Sequence, residues 1–256
     1  MPSTAGDPTA GRPARPPVFL AAPEELSRDV IVLAGPEGRH AATVRRIAPG
    51  ERVDVADGHG RVAECIVTGA RAGALELAVQ RRREEPLPQP AIVVVQAIPK
   101  GDRGQLAVEL VTEAGADVVV PWQAERCVTQ WRGERGQRSL ERWRAAAREA
   151  AKQARRARVP QVTAAEQTGA VARRVAAASL AVLLDPAAPC PLAGLALPPA
   201  GDLLVIVGPE GGVTAAEERS LTGAGARPAR LGPTVLRAST AGVVAVSVLL
   251  SGLRWG

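Results

Sequence analysis

Two kinds of hydrophobic spacing divide the chain. From Val18 to about Gln80, Val53, Val55, Val62, Ile66, Leu75, Leu77 and Val79 recur at intervals of two or four, with glycine-bearing turns between the segments. That spacing predicts short strands of a small barrel. The "DGHG" at 57–60 reads as a hairpin turn of the Asp-Gly type. "RRREEPLPQP", 81–90, combines charge with three prolines and predicts a linker.

Beyond the linker the pattern alternates between strand and helix. "AIVVVQAI" (91–98) is an apolar run suited to a strand buried on both faces. Asp102 with Gln105 in capping-box spacing opens a helix whose buried stripe is Leu106 and Leu110, ended by Gly115. "DVVVPW", "SLAVLLD", "DLLVIVG" and a short piece of "ARPARLG" follow as strands. The fold class predicted is α/β, with a parallel sheet carrying helices on both faces. The last segment, Thr240 to Leu253, is predicted as a helix capped by Ser239 or Thr240 and apolar on every side through Val243, Val244, Val246, Val248, Leu249 and Leu250.

One helix is amphipathic through charge. From about Ser139 to Ala157, Leu140, Trp143, Ala147 and Ala154 lie along one side, and Arg144, Arg148, Lys152 and Arg155 recur on the other. Between Arg132 and Arg158 ten basic residues face three acidic ones, a local balance of +7 against +6 for the whole chain. The remainder is therefore near neutral. A charge run alone fits a solvated face as well as an anionic partner. A stripe of arginine favours RNA, because guanidinium groups match phosphate geometry.

Composition adds limits. The chain has 256 residues, enough for two modest domains, and only one Phe, no Tyr and four Trp, so its cores must be built from Ala, Val and Leu. Cys65, Cys127 and Cys190 are far apart, lack any C-x-x-C spacing and have only two histidines for company, which argues against zinc and against a disulfide framework. Nothing near Cys127 activates a thiol. The proline-rich start reads as a disordered leader over 1–14, neither signal peptide nor anchor. No apolar run approaches the ~20 residues of a membrane span, and a cytoplasmic protein is expected.

The candidate chemistry lies in glycine turns. "VGPEGG" (207–212) follows an apolar strand, but it lacks the Lys of a Walker A loop and the G-x-G-x-x-G of a dinucleotide fold. Standing alone it would fit a plain strand-to-helix turn. A second such turn, "LGPTVLRASTA" (231–241), comes some twenty residues later, and the pair could cradle one flat ligand by backbone contacts.

"VGPEGG", "LGPTVLRAST-A" and "AAKQARRARVP" (150–160), with "QAIPKGDRGQLAVELVTEAGADVVVPWQAERCV" (96–128) and "RHAATVRRIAPGERVDVADGHG" (39–60), resemble the RsmE family of the SPOUT superfamily. Members methylate N3 of a uridine in 16S ribosomal RNA (the uracil 1498 type) with S-adenosylmethionine. The resemblance implies a PUA-like RNA-binding barrel over 15–82 and a SPOUT methyltransferase domain over 90–256 that ends in a trefoil knot, an exception to the rule that chains do not thread loops. It places the cofactor on Leu184, Gly208, Pro209, Glu210, Gly211, Gly212, Leu231, Gly232, Leu236, Ser239, Thr240 and Ala241. His40, Arg45, Arg46, Lys100, Arg103, Arg126, Arg144, Arg148, Lys152, Arg155 and Arg156 are the expected RNA contacts. A two-fold homodimer, an rRNA or small-subunit partner and no metal are also implied. The likeness of "AGPEGRH" (34–40) to the glycine loop is read as chance.

The chain departs from the family pattern twice. Ser239 stands where a glutamate is usual in Arg-x-Glu-Thr-Ala, and Lys152 where Ala-Glu-Gln is usual. Uracil N3 carries a proton that must be removed, and the resulting anion must be stabilised. Arg237 is the candidate for the second role, with phosphate binding or helix capping as its alternative. Glu210 is the candidate proton acceptor, with holding the turn as its alternative. A SPOUT ribose 2′-O-methyltransferase and a non-catalytic RNA-binding protein remain as rival functions.

Overall fold

A computed structural model describes residues 16–71 and 73–255, so the expected leader over 1–14 lies outside the described residues. These fall into two compact units, one of 16–57 with Arg61–Arg83 and the other of Gly58–Gly60 with 84–255.

The first unit is a five-stranded sheet of β1 (Val18–Leu20), β2 (Val30–Leu33), β3 (Arg52–Ala56), β4 (Arg61–Arg71) and β5 (Ala74–Glu84), in the order β1-β3-β4-β5-β2. β1 runs parallel to β3, and β4 returns antiparallel to β3 through the "DGHG" turn. Phe19, Ile31, Val53, Val55, Leu75 and Leu77 fill its core. A short helix α1 (Gly35–Arg39) and a wider helical turn (His40–Val44) occupy "AGPEGRH" and the residues after it. The likeness to the glycine loop therefore does not extend to conformation. Strand β5 continues through Arg81, Arg82 and Arg83, which the charge pattern had placed in a linker. Two of these charges are held locally: Arg82 donates to the Leu26 carbonyl at 2.8 Å, and Arg83 pairs with Asp54 and Glu64.

The second unit contains β6 (Ala91–Ala97), α2 (Arg103–Ala114), β7 (Val118–Gln123), α3 (Gly133–Gln153), β8 (Gln161–Val162), β9 (Glu166–Gln167) and α4 (Thr168–Ala177). It continues with β10 (Leu180–Leu184), β11 (Asp202–Val207), α5 (Ala215–Gly223), β12 (Arg227–Ala229) and α6 (Ala238–Ser251). All seven strands are parallel, in the order β12-β10-β11-β6-β7-β8, with β9 also on β7. The apolar run of β6 serves both faces, as its composition predicts. Ile92 and Val94 pack with α2, α3 and α6, while Val93 and Val95 pack with α4 and α5. Successive side chains of a strand point to opposite faces.

Three local expectations are corrected. Asp102 makes no side-chain cap, and α2 buries Gly104, Ala107, Val108, Val111 and Thr112 while Leu106 is exposed. Gly104 lets the Trp143 ring lie against the backbone of α2, because a Cβ there would sit 2.5 Å from the ring. Helix α3 starts at Gly133, six residues before the predicted start, and Ala154 is its half-buried C-cap. Helix α6 is not buried all round: Ala245, Val246, Leu249 and Leu250 face the core and Val244 faces outward. Among the described residues no helix is long and apolar enough to cross a membrane.

Candidate active site

In open parallel sheets a ligand crevice forms beyond the carboxyl ends of strands where the strand order reverses. Here β12, β10 and β11 are neighbours although β11 intervenes in sequence between the other two. Their following loops line a cavity of about 550 Å³. Leu183 to Pro186 come from β10 and the loop after it; Val207 to Glu210, Gly212 and Val213 from β11 and its loop; Leu231, Gly232 and Thr234 to Arg237 from the loop after β12, with Ala238 and Ala241 of α6.

Of the residues expected on the cofactor, Leu184, Gly208, Pro209, Glu210, Gly212, Leu231, Gly232, Leu236 and Ala241 line this cavity, as does Arg237. Gly211, Ser239 and Thr240 are beside it. The Gly211 carbonyl accepts from Arg126 at 3.0 Å, Ser239 is buried in the first turn of α6, and the Thr240 hydroxyl donates to the Arg237 carbonyl at 3.1 Å. Arg103, expected on RNA, lines the cavity and stands 4.0 Å from the Glu210 carboxylate. Thr234 and Val235 of the second expected turn line it too, and Asp185 and Glu218 line it without having been singled out in the sequence.

The main residue missed is Glu217. It is buried, and both its oxygens are engaged: Oε1 accepts from the Glu125 N–H at 2.8 Å and the Thr168 hydroxyl at 2.9 Å, and Oε2 from the Thr214 N–H at 3.1 Å. With the Thr214 hydroxyl accepting from the Glu217 N–H, this is a capping box at the start of α5. The signal was present in the sequence as T-A-A-E, 214–217.

The basic residues separate into outward and inward groups. Lys100, Arg126, Arg144 and Arg148 are exposed, although Arg144 also donates to the Val162 carbonyl at 3.2 Å. Two expected RNA contacts turn inward instead. The Lys152 side chain is 7% exposed and pairs with Glu149 at 3.0 Å. Arg156 donates to the Thr112 carbonyl and pairs with Asp117, and burial pushes its pKa down. Arg155 is half-buried with φ 54°. In the first unit Arg45 and Arg46 are exposed, while His40 lies half-buried with its ring edge-on to Phe19 at 6.4 Å. Among the described residues no group of three or more His, Cys, Asp or Glu could hold a metal ion.

An RNA methyltransferase domain family matches residues 85–250, and an RNA methyltransferase PUA domain family matches 33–80. A relative from Mycobacterium bovis, "Ribosomal RNA small subunit methyltransferase E", is 49% identical over 233 residues, 88% of each chain. The chain belongs to the ribosomal RNA small subunit methyltransferase E family. A putative methyltransferase from Legionella pneumophila, solved with bound SAM, is similar at a TM-score of 0.81 and 26% identity, covering 93% of this chain and 98% of that one. A methyltransferase E from Neisseria gonorrhoeae bound to S-adenosyl methionine has the same fold at TM-score 0.81 and 24% identity, over 93% and 98%. The parallel-sheet unit is thus the SPOUT methyltransferase fold, preceded by a PUA-like unit.

The two positions expected to depart from the family pattern have local settings. Lys152 pairs with Glu149 one turn earlier on α3. Ser239 occupies a site that is 3% exposed, where a carboxylate would be buried and would need its own partners.

Proposed function

We propose that the protein uses S-adenosylmethionine to methylate N3 of a uridine in 16S ribosomal RNA, acting in the cytoplasm as a homodimer. The observation that carries this reading is the cavity at the ends of β10, β11 and β12. Its ~550 Å³ is in the range of small-molecule sites. A Cβ on Gly232 would meet no protein atom within 4 Å, which leaves the backbone of that loop open to a ligand. Apolar Leu184, Val207, Leu231 and Leu236 suit the adenine ring, and Asp185, Glu210 and Glu218 suit a cationic centre. We propose a trefoil-knotted path for 207–241, with the family.

When bound, the cofactor supplies a methyl group on a positively charged sulfur. The protein's own task is to hold the uracil, accept its N3 proton and stabilise the anion that remains. Arg237 is the candidate for stabilisation. It is exposed and lines the cavity, and as N-cap of α6 its backbone carbonyl accepts from the Thr240 and Ala241 N–H groups, which fixes its Cα. Glu210 has two readings. As proton acceptor it would face the cavity it lines; as a loop anchor it would act through Arg103 at 4.0 Å. Orientation of the two reactants supplies a further part of the rate. In this reading Arg45 and Arg46 of the PUA-like unit and Arg144 and Arg148 of α3 contact RNA phosphates.

The test is methylation of small subunits from a strain that lacks the modification, followed by mass spectrometry of the nucleosides. N3-methyluridine is the expected product. A 2′-O-methylated nucleoside would establish the ribose-directed rival, and no product with measurable RNA binding the non-catalytic one.

A further inference from the structure

The turn after β7, Ala124 to Arg126, grips the glycine loop from outside the cavity. The Glu125 N–H donates to Glu217 Oε1 at 2.8 Å, the Thr214 hydroxyl donates to Glu125 Oε2 at 2.8 Å, and Arg126 Nη1 donates to the Gly211 carbonyl at 3.0 Å. These bonds join segments 85 to 92 residues apart in sequence. They act at the middle of the loop and at its junction with α5. Glu125 holds its junction with α5, and Arg126 holds the peptide beside Gly212, whose φ is +78°.

The backing of this turn is buried and hydrogen-bonded. Trp122, fully buried on β7, donates from Nε1 to the Thr168 hydroxyl at 3.2 Å, and that hydroxyl donates to Glu217. Cys127 is buried next to Arg126 with its N–H on the Ala124 carbonyl at 3.1 Å, which closes the turn. Loop 208–214 is therefore tied to β7 through residues that do not line the cavity.

We infer that Glu125 and Arg126 are positioning residues for the cofactor: they set the glycine loop in its binding conformation before the ligand arrives. A loop fixed in advance loses less conformational entropy on binding, and the difference appears as affinity. Arg126 acts on the loop carbonyl and not on RNA phosphate. This rests on the S-adenosylmethionine reading of the cavity.

The experiment is calorimetric titration of the full chain with S-adenosylmethionine, alongside RNA binding as a function of salt. No heat with the wild-type protein would remove the cofactor reading itself, separately from the inference. With wild-type binding established, Arg126→Ala is expected to raise the cofactor Kd about three- to tenfold, the effect of one lost hydrogen bond, with kcat at saturating cofactor little changed. Arg126→Lys should recover part of the loss, and the RNA salt slope should stay as in the wild type. Glu217→Gln keeps the shape but sets an amide NH2 against a donor. It should weaken cofactor binding and speed hydrogen exchange at Gly211 to Thr214 in the free protein. An unchanged Kd in both variants overturns the inference, and so does a salt slope lowered by about one in Arg126→Ala, which marks a phosphate contact.

Discussion

The Arg254 guanidinium lies 2.8 Å from the carboxylate of Asp117, 137 residues away, so the chain end after α6 is pinned to the start of β7. Arg156 approaches the same carboxylate at 3.6 Å, and the Ile92 N–H donates to it at 2.9 Å. One anion thus ties β6, β7, the end of α3 and the C-terminal segment, with its side chain only 12% exposed. Asp117→Ala leaves two arginines without their anion. Breaking such a pair costs about 3 kcal/mol or more, roughly 6–12 °C in Tm for a unit of this size. Asp117→Asn keeps an oxygen for the Ile92 N–H and should cost less. Thermal unfolding of the three proteins checks the order.

The glycines of the cavity should respond differently from one another. Gly212 holds φ +78°, so Gly212→Val strains the backbone itself and should abolish cofactor binding. At Gly208 a Cβ would stand 2.8 Å from Val213 Cγ2, inside the loop. Gly211 differs from the sequence expectation. Its φ is not in the left-handed region, and the nearest atom to an added Cβ is Arg126 Cβ at 3.2 Å, so its constraint comes from the protein. Gly232→Ala is the informative change, because the protein offers nothing for that methyl to strike. Its Tm should match the wild type while cofactor affinity falls about tenfold or more. Unaltered affinity would move the ligand away from this loop.

Salt dependence distinguishes the outward from the inward cations. Replacing Arg144 and Arg148 by Ala should flatten the log-log slope of RNA binding by roughly one to two units. Lys152→Ala should leave the slope alone and lower stability, since that ammonium is buried on Glu149. A slope change in Lys152→Ala and none in the double variant would reverse the assignment.

Much of this architecture was legible in the sequence, for reasons that differ by element. β6 and β11 were read because Val-rich runs need burial on both faces, and the "DGHG" turn because Asp-Gly chemistry marks a hairpin. Helix α3 was read by its charge stripe, but the stripe carries no information on which cations turn inward. Lys152 does so because Glu149 lies one turn away, and Arg156 because Asp117, distant in sequence, lies within reach. Leu106 was read as core from its spacing, yet Ala107 and Val108 point inward because α3 packs closely through Gly104. The glycine loops were recognisable as turns. The capping box of Glu217 was legible as T-A-A-E, but the bracing by Glu125 and Arg126 depends on contacts across nearly ninety residues that no local pattern encodes.

Alkaline pH should destabilise the first unit through Cys65. Burial, reinforced by the Asp54 carboxylate, pushes its thiol up to about 11. In the unfolded chain the same group titrates near ~8.5. Above that pH the unfolded state binds fewer protons than the folded one, so stability falls with rising pH until the folded thiol also ionises. The full effect is on the order of 3 kcal/mol. Cys127 is shifted the same way by burial. Denaturant unfolding between pH 8 and 11 should therefore show a declining stability that is shallower in Cys65→Ala. An equal slope in the variant would mean that the thiol titrates alike in the folded and unfolded states.

The proposed dimer makes the sharpest demand on α6. Helices α2 and α6 pack side by side, and each leaves one large apolar side chain exposed, Leu106 at 44% and Val244 at 36%. Val248 is half-buried against the core, so a charge there tests folding and not association. Val244→Asp places a carboxylate on the outer face of α6 without entering the core. In a dimer joined through this face it should yield folded monomers, with unchanged far-UV circular dichroism and a halved mass by light scattering. The cofactor cavity is lined by Ala238 and Ala241 at the start of the same helix, so these monomers should also bind S-adenosylmethionine more weakly. A wild-type protein that is monomeric and fully active would remove the dimer and leave Leu106 and Val244 as ordinary exposed residues.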